Sequence, residues 1–197
     1  MTKAEKTRQF IIEQSAPVFN IKGYENTSLS DIQEVTGLTK GSVYGNFTDK
    51  NELAIAAYQH NFNEVAVRMG QAIKSAPDAA GKITAILDFY RKHWKKIAEL
   101  GGCPIVNAAV EADDHSFFLK PHVQKSVHDF AGVLQRIITK GQAAKEFKQD
   151  IVAMDYAYLM LTTLEGGILL AKIMHNNQRL WMALDRIQHM VDHELKR

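Results

Sequence analysis

Cysteine is almost missing from this chain: Cys103 is the only one in 197 residues. That excludes a disulfide framework within one chain and a four-cysteine zinc site, and it fits a reducing compartment, so a cytoplasmic location is expected. The N-terminal stretch MTKAEKTRQF is charged and has no apolar run followed by small residues, so no secretory signal is expected. Proline is scarce as well, with four residues. Pro77, Pro104 and Pro121 fall at joints between helical patterns, whereas Pro17 lies inside the first one and predicts a kink near its end. An excess of charge is also lacking: 24 Lys+Arg against 22 Asp+Glu leave a net charge of +2. This balance excludes a polybasic tail or a histone-like binder.

What remains is rich in Ala, Leu, Lys, Glu and Gln, a helical composition. At this length a compact fold buries roughly 70% of the unfolded chain's surface, enough for a core that needs neither disulfide nor metal. Apolar periodicity and the joints predict helices near 3–22, 29–36, 40–46, 50–75, 79–100, 104–112, 121–144, 150–175 and 178–195. The fold class is all-α. Residues 151–174 are the most apolar stretch, but Asp155 and Glu165 would sit in hydrocarbon at several kcal/mol in a membrane span. A helix that is apolar on most of its circumference belongs instead in a core or against a second chain, and no membrane partner is expected.

Residues 24–53 carry the strongest local signals. Ser28 followed by Asp31 is a capping-box pattern. Ile32 and Val35 supply an apolar side, and Gly37 offers a left-handed stop. Thr39 caps the next short helix, so two helices joined by a glycine-containing turn form a helix-turn-helix. On the second of them Val43 and Phe47 face inward, while Lys40, Gly41, Ser42, Tyr44 and Asn46 offer a slim face with a cation and hydrogen-bonding groups. Such a face suits a major groove. A polar helix turned to solvent in a small bundle explains the same residues equally well.

The run Gly23-Tyr24, Thr27-Ser28-Leu29, Asp31-Ile32, Thr36-Gly37-Leu38-Thr39-Lys40-Gly41-Ser42-Val43-Tyr44, Phe47 and Lys50 resembles the DNA-binding head of the TetR/AcrR family of bacterial regulators. The match spans about the first 55 residues, including Ala16 and Phe19. Asn46 departs from it, since histidine or tyrosine is common at that place. The resemblance implies a double-stranded DNA operator as partner. It implies phosphate contacts by Thr27, Ser28, Tyr44, Asn46 and Lys50, and base or backbone contacts by Thr39, Lys40, Gly41 and Ser42. It also implies a homodimer, a small-molecule effector, and repression released by that effector. On it we divide the chain into a helix-turn-helix domain, residues 1–50, and a ligand-binding and dimerisation domain, residues 51–197.

For the body, expectations are less specific. Leu180, Leu184, Ile187 and Val191 recur at helical spacing, and together with Tyr158, Gly166 and Gly167 they are expected at a dimer interface, the competing reading being internal core. Polar groups among apolar ones (His93, Trp94, Cys103, Asn107, Glu111, His128, Tyr156 and Glu165) are the candidates for an effector pocket. The segment from Gly102 to Glu111 resembles one found in part of the family, and some members with such a cysteine sense electrophiles or oxidants. That role requires a thiolate stabilised by cations. His189 and His193 are four apart and Glu111, Asp113, Asp114 and His115 cluster, but no Glu-x-x-His, His-Glu-x-x-His, Gly-x-Ser-x-Gly or phosphate-binding loop occurs. No metal, cofactor or enzymatic activity is expected. The alternatives are a helical small-molecule or redox sensor, using Cys103, that does not bind an operator, or an unrecognised enzyme.

The head's charge sharpens the expectation. Residues 1–50 hold six cations (Lys3, Lys6, Arg8, Lys22, Lys40, Lys50) and six anions (Glu5, Glu13, Glu25, Asp31, Glu34, Asp49). A neutral head must bind DNA through placed groups and helix N-termini, not through a basic field.

Overall fold

The computed structural model describes all 197 residues. They form α1 (Lys3–Lys22), α2 (Leu29–Thr36), α3 (Lys40–Tyr44), α4 (Lys50–Lys74), α5 (Ala79–Glu99), α6 (Pro104–Asp114), α7 (Lys120–Ala143), α8 (Ala153–Ile173) and α9 (Gln178–His189). A short 3-10 turn, Phe117–Leu119, precedes α7, and a π-helical turn, Met190–Leu195, follows α9. The all-α expectation holds, and each predicted helix is present. No helix is long and apolar enough to cross a membrane.

Two compact units result: residues 1–65 with 99–125, and residues 66–98 with 126–197. This division differs from the one drawn at residue 50, because α6 is tied by polar bonds to the end of α1.

In the first unit, α1 runs unbroken through Pro17 and buries Ile11, Ala16 and Phe19 on one face. The Tyr24 ring stacks on Phe19 at 5.7 Å and meets Tyr58 of α4 edge-on at 6.0 Å. Burial pushes the Tyr24 hydroxyl well above its usual range. The start of α2 is the reciprocal cap expected: Ser28 N–H donates to Asp31 Oδ2 at 2.8 Å and Asp31 N–H to Ser28 Oγ at 3.2 Å. Gly37 ends α2 at φ 68°, a left-handed conformation costly for a residue with a Cβ. Val35, expected inside, is 38% exposed; Thr36 takes the buried place and returns its hydroxyl to Ile32 O at 2.7 Å.

Arg8 joins α1 to the start of α4. Its guanidinium lies 4.1 Å from the Phe47 ring centroid, donates to Glu52 Oε1 at 2.7 Å and also reaches Asn46 O. Glu52 accepts from Thr48 N–H at 2.7 Å, while its own N–H donates to Asp49 Oδ1 at 2.8 Å.

In the second unit, Glu146 accepts from Ala79 N–H at 2.8 Å and Ala80 N–H at 2.6 Å, satisfying amides at the start of α5 that no helical carbonyl can reach. α8 and α9 pack as an antiparallel pair: Ala157, Leu161, Leu164, Ile168 and Ala171 of α8 are buried, as are Leu180, Leu184 and Ile187 of α9. Each such leucine or isoleucine contributes about 1.5–3 kcal/mol on burial. The chain end pairs back, with Lys148 N–H donating to Leu195 O at 2.8 Å and an antiparallel bridge between Phe147 and Lys196.

The head's polar joints make its stability sensitive to acid. Lys22, then Ser28, holds the Asp31 carboxyl at about 2, and Thr48, then Arg8, holds Glu52 at about 2. Both values lie below those of an unfolded chain, so the bonds stabilise the fold above the unfolded pKa and are lost as pH falls through the folded one. Melting temperature should therefore drop between about pH 4.5 and pH 2. Asp31→Asn and Glu52→Gln should each flatten that drop when melting is followed by circular dichroism. An acid limb unchanged in both variants contradicts these assignments.

Candidate nucleic-acid interface

α2 and α3 meet through the turn Gly37-Leu38-Thr39, in which Leu38 N–H donates to Thr36 Oγ1 at 3.3 Å. Thr39 then caps α3: its Oγ1 accepts from Ser42 N–H at 3.3 Å and lies 3.1 Å from Ser42 Oγ. Val43 and Phe47 are 1% and 2% exposed and anchor α3 in the core. Thr39, Lys40, Gly41, Ser42 and Tyr44 consequently all face solvent. Lys40 Nζ lies 5.9 Å from the Tyr44 ring centroid, so cation and ring share one surface. A Cβ added at Gly41 would meet only Thr39 Oγ1, at 4.0 Å, so nothing inside the protein demands glycine there.

The flanking expectations separate. Ser28 is exposed at the N-terminus of α2, its hydroxyl donating to Asp31 Oδ2 at 2.8 Å. Thr27 departs from expectation: it is fully buried and donates its hydroxyl to Gly23 O at 2.6 Å, so its side chain holds the α1–α2 turn and is not offered to phosphate. Asn46 is half-buried, with Nδ2 donating to Ser42 O at 2.8 Å. Lys50 Nζ donates to Glu25 O at 2.8 Å, which holds the ammonium beside the start of α2. Arg8, which orders the Asn46-Phe47 corner from behind, was not singled out from sequence; its place one apolar-face position before Ile11 and Ile12 carries no distinctive signal.

The eight pocket candidates are divided between the two units. Cys103, Asn107 and Glu111 belong to the first unit, the other five to the second. Asn107 Nδ2 donates to Asn20 O, Asn20 Oδ1 and Gly101 O at 2.8–3.0 Å. Glu111 accepts from Tyr24 N–H at 3.2 Å and Glu25 N–H at 2.8 Å. Both spend these polar groups on backbone partners, Asn107 on the Asn20 side chain as well. Cys103 is 6% exposed at the N-cap of α6, whereas a reactive thiol is partly accessible. His93 is exposed beside Phe89, ring centroids 5.0 Å apart. Trp94 is buried, with Nε1 donating to Asn177 Oδ1 at 2.7 Å. His128 Nδ1 lies 3.0 Å from the Tyr158 hydroxyl. Tyr156 donates to Glu194 Oε2 at 3.2 Å, and burial followed by the Glu194 charge raises its hydroxyl pKa. Glu165 is half-buried on α8. A surface groove of about 410 Å³ lined by Val110, Asp113, Lys120 and Val123 contains none of the eight.

The dimer candidates are corrected in the same way. Leu180, Leu184, Ile187 and Val191 are at most 2% exposed within the single chain, so the internal reading of these four is the right one. Gly167 is buried where an added Cβ would lie 2.5 Å from Ala183 Cβ, which makes it a contact of α8 with its own α9. Tyr158 is half-buried. Gly166 alone of the group is exposed with open space over it. Around it on α8 lie Leu159, Leu169, Leu170 and Ile173, 44–70% exposed, and α9 adds Met182 at 60%. The apolar run of α8 holds both this stripe and the one that pairs with α9, and the fold sets which of the two is covered.

Comparison with known proteins accords with this geometry. A family model described as "Bacterial regulatory proteins, tetR family" matches residues 11–57, and "Tetracyclin repressor-like, C-terminal domain" matches residues 79–187. A TetR-family transcriptional regulator of known structure from Cytophaga hutchinsonii is 33% identical over 100% of this chain and 98% of its own, with a TM-score of 0.95. The HTH-type transcriptional repressor DhaR of Mycobacterium sp. (strain GP1) is 24% identical, covering 88% of this chain and 86% of its own length. The fold is shared too by the TetR-family regulator CifR, solved as a cysteine mutant complexed with 26bp double-strand operator DNA, at 20% identity, coverage of 92% and 94%, and a TM-score of 0.80. The chain belongs to the TetR family of DNA-binding transcriptional regulators.

Proposed function

We propose that this regulator is a repressor that binds a palindromic operator as a homodimer and leaves it when a small-molecule effector binds. The observation that carries the reading is the face of α3. Thr39, Lys40, Gly41, Ser42 and Tyr44 are exposed around a glycine that no internal contact requires, over an anchor of Val43 and Phe47. A bare backbone at the start of a helix lets the groove wall approach closely, while the neighbouring hydroxyls and ammonium supply donors. Ser28, Asn46 and Lys50 take the phosphates on either side and set the register. An operator as partner supports a cytoplasmic location and a regulatory, not catalytic, function.

One five-residue recognition helix reads few base pairs, and a two-fold pair reads an inverted repeat with half-sites about a helical turn apart. The surface offered for pairing is the outward stripe of α8 with Met182 of α9. Its leucines and isoleucine, 44–70% exposed, line one face of α8 as a contiguous apolar stripe of the kind that supports an interface, and a specific interface needs about 800 Å² from each partner. The effector acts through α4, whose 25 residues span about 38 Å and run from one unit into the other. It can shift the operator-bound state only by its differential affinity for the two states.

Two outcomes test the reading. Selection of duplexes from a random library on the wild-type protein should recover an inverted repeat. Gly41→Ala should leave thermal stability equal or raised by about 0.5–1 kcal/mol, because alanine favours helix, yet weaken binding to that duplex at least tenfold by fluorescence anisotropy. Unchanged affinity would remove α3 from the groove. For the dimer, Leu159→Glu with Leu170→Glu should give a folded monomer at micromolar concentration in light scattering. A dimer of unchanged mass in that variant would move the interface elsewhere.

A further inference from the structure

The segment that leads into α6 is fastened to the end of α1 by an uncommon density of side chain to backbone bonds, all within the first unit. Asn20, 3% exposed, donates from Nδ2 to Leu100 O at 2.6 Å and Gly102 O at 3.2 Å. Asn107 donates back to Asn20 O and Oδ1 and to Gly101 O. An amide with two hydrogens reaches three acceptors there, so one hydrogen is shared. Gly101 has φ 96°, and an added Cβ would lie 2.6 Å from Asn20 O, so only glycine lets the strands of this clamp approach.

One turn further along α6, Glu111 grips the α1–α2 turn. Its two carboxylate oxygens accept separately from the successive N–H groups of Tyr24 and Glu25. Such charge-assisted bonds are stronger than neutral ones. Glu25 is held at three points: its N–H by Glu111, its carbonyl by Lys50 Nζ at 2.8 Å, and its carboxylate by the buried Ser116 hydroxyl at 3.3 Å. Lys50 and the start of α2, two groups assigned to phosphate, thus take their positions from a peptide unit that α6 holds.

We infer that Glu111 and Asn107 are positioning residues for operator recognition: α6 touches no DNA but fixes the α1–α2 turn and, through Glu25, sets where Lys50 and the α2 N-terminus meet the backbone. The inference rests on the operator-binding reading above. Free movement of that turn leaves each phosphate contact chemically available but removes the common register that a specific site requires. Weak binding to arbitrary sequence, which needs no register, is spared.

The test uses the full-length protein, the duplex recovered by selection on the wild type, and a scrambled duplex of equal length, at least 15 °C below each variant's melting temperature. Glu111→Gln turns one acceptor into a donor facing an N–H; Asn107→Ala removes the shared donor and serves should the first fail to fold. We expect affinity for the selected duplex to fall about tenfold in either folded variant. Affinity for the scrambled duplex should change less than twofold, and the amides of Tyr24 and Glu25 should exchange hydrogen faster in Glu111→Gln. Equal losses on both duplexes, or no loss on either, overturn the positioning role while leaving the operator reading in place. Failure of the wild type to enrich any duplex overturns both.

Discussion

The peptide units of Tyr24 and Glu25 are where the geometry of the head is decided. The Tyr24 ring is held inside by Phe19 and Tyr58, and Thr27 closes the turn onto Gly23 O. The backbone outside is held by Glu111 and Lys50. An apolar anchor and a polar one thus act on the same three-residue stretch from opposite sides. The capping box of α2 begins directly after it, so the direction of α2, and through Gly37 that of α3, follows from how this turn is held. Losing the aromatic anchor would open the core. Losing the polar one would leave the core intact and the turn free, which is why the two can be separated experimentally.

The charge balance gives the binding mode. With six cations and six anions in the first 50 residues, there is no net field to gather DNA from a distance. The structure also commits several of those cations internally: Lys22 to Asp31, Arg8 to Glu52 and Lys50 to a carbonyl. Lys40, beside Tyr44 on the α3 face, and Lys3 and Lys6 at the start of α1 remain exposed. Affinity then depends on placed groups and helix N-termini held in register.

Most of the helix-turn-helix was legible because its signals are local. Ser28 with Asp31, Gly37, Thr39, and the pair Val43 and Phe47 each act on neighbours within four residues, and each does in the fold what its type predicts. Thr27 is ambiguous in the sequence because the same hydroxyl can serve phosphate or a buried carbonyl, and only the packing of Tyr24 decides. Asn107 and Glu111 were recognised as unusual polar residues but assigned to a cavity. Their partners, Asn20 and the Tyr24-Glu25 amides, lie more than 80 residues away in sequence, and backbone amides leave no mark in a sequence. The α8–α9 pair failed in a third way. Both helices carry apolar residues with the same period, and periodicity alone does not say which stripe meets the chain's own helix and which is left outside.

A charge-neutral head that binds through register, not field, ties its affinity to one sequence. The most direct test is the salt dependence of binding to the selected duplex and to its scrambled counterpart, measured side by side. Binding through register gives nanomolar affinity for the first, at least about a thousandfold weaker affinity for the second at moderate salt, and a gap that persists as salt rises. Similar affinities for both duplexes, falling together steeply with salt, would contradict it.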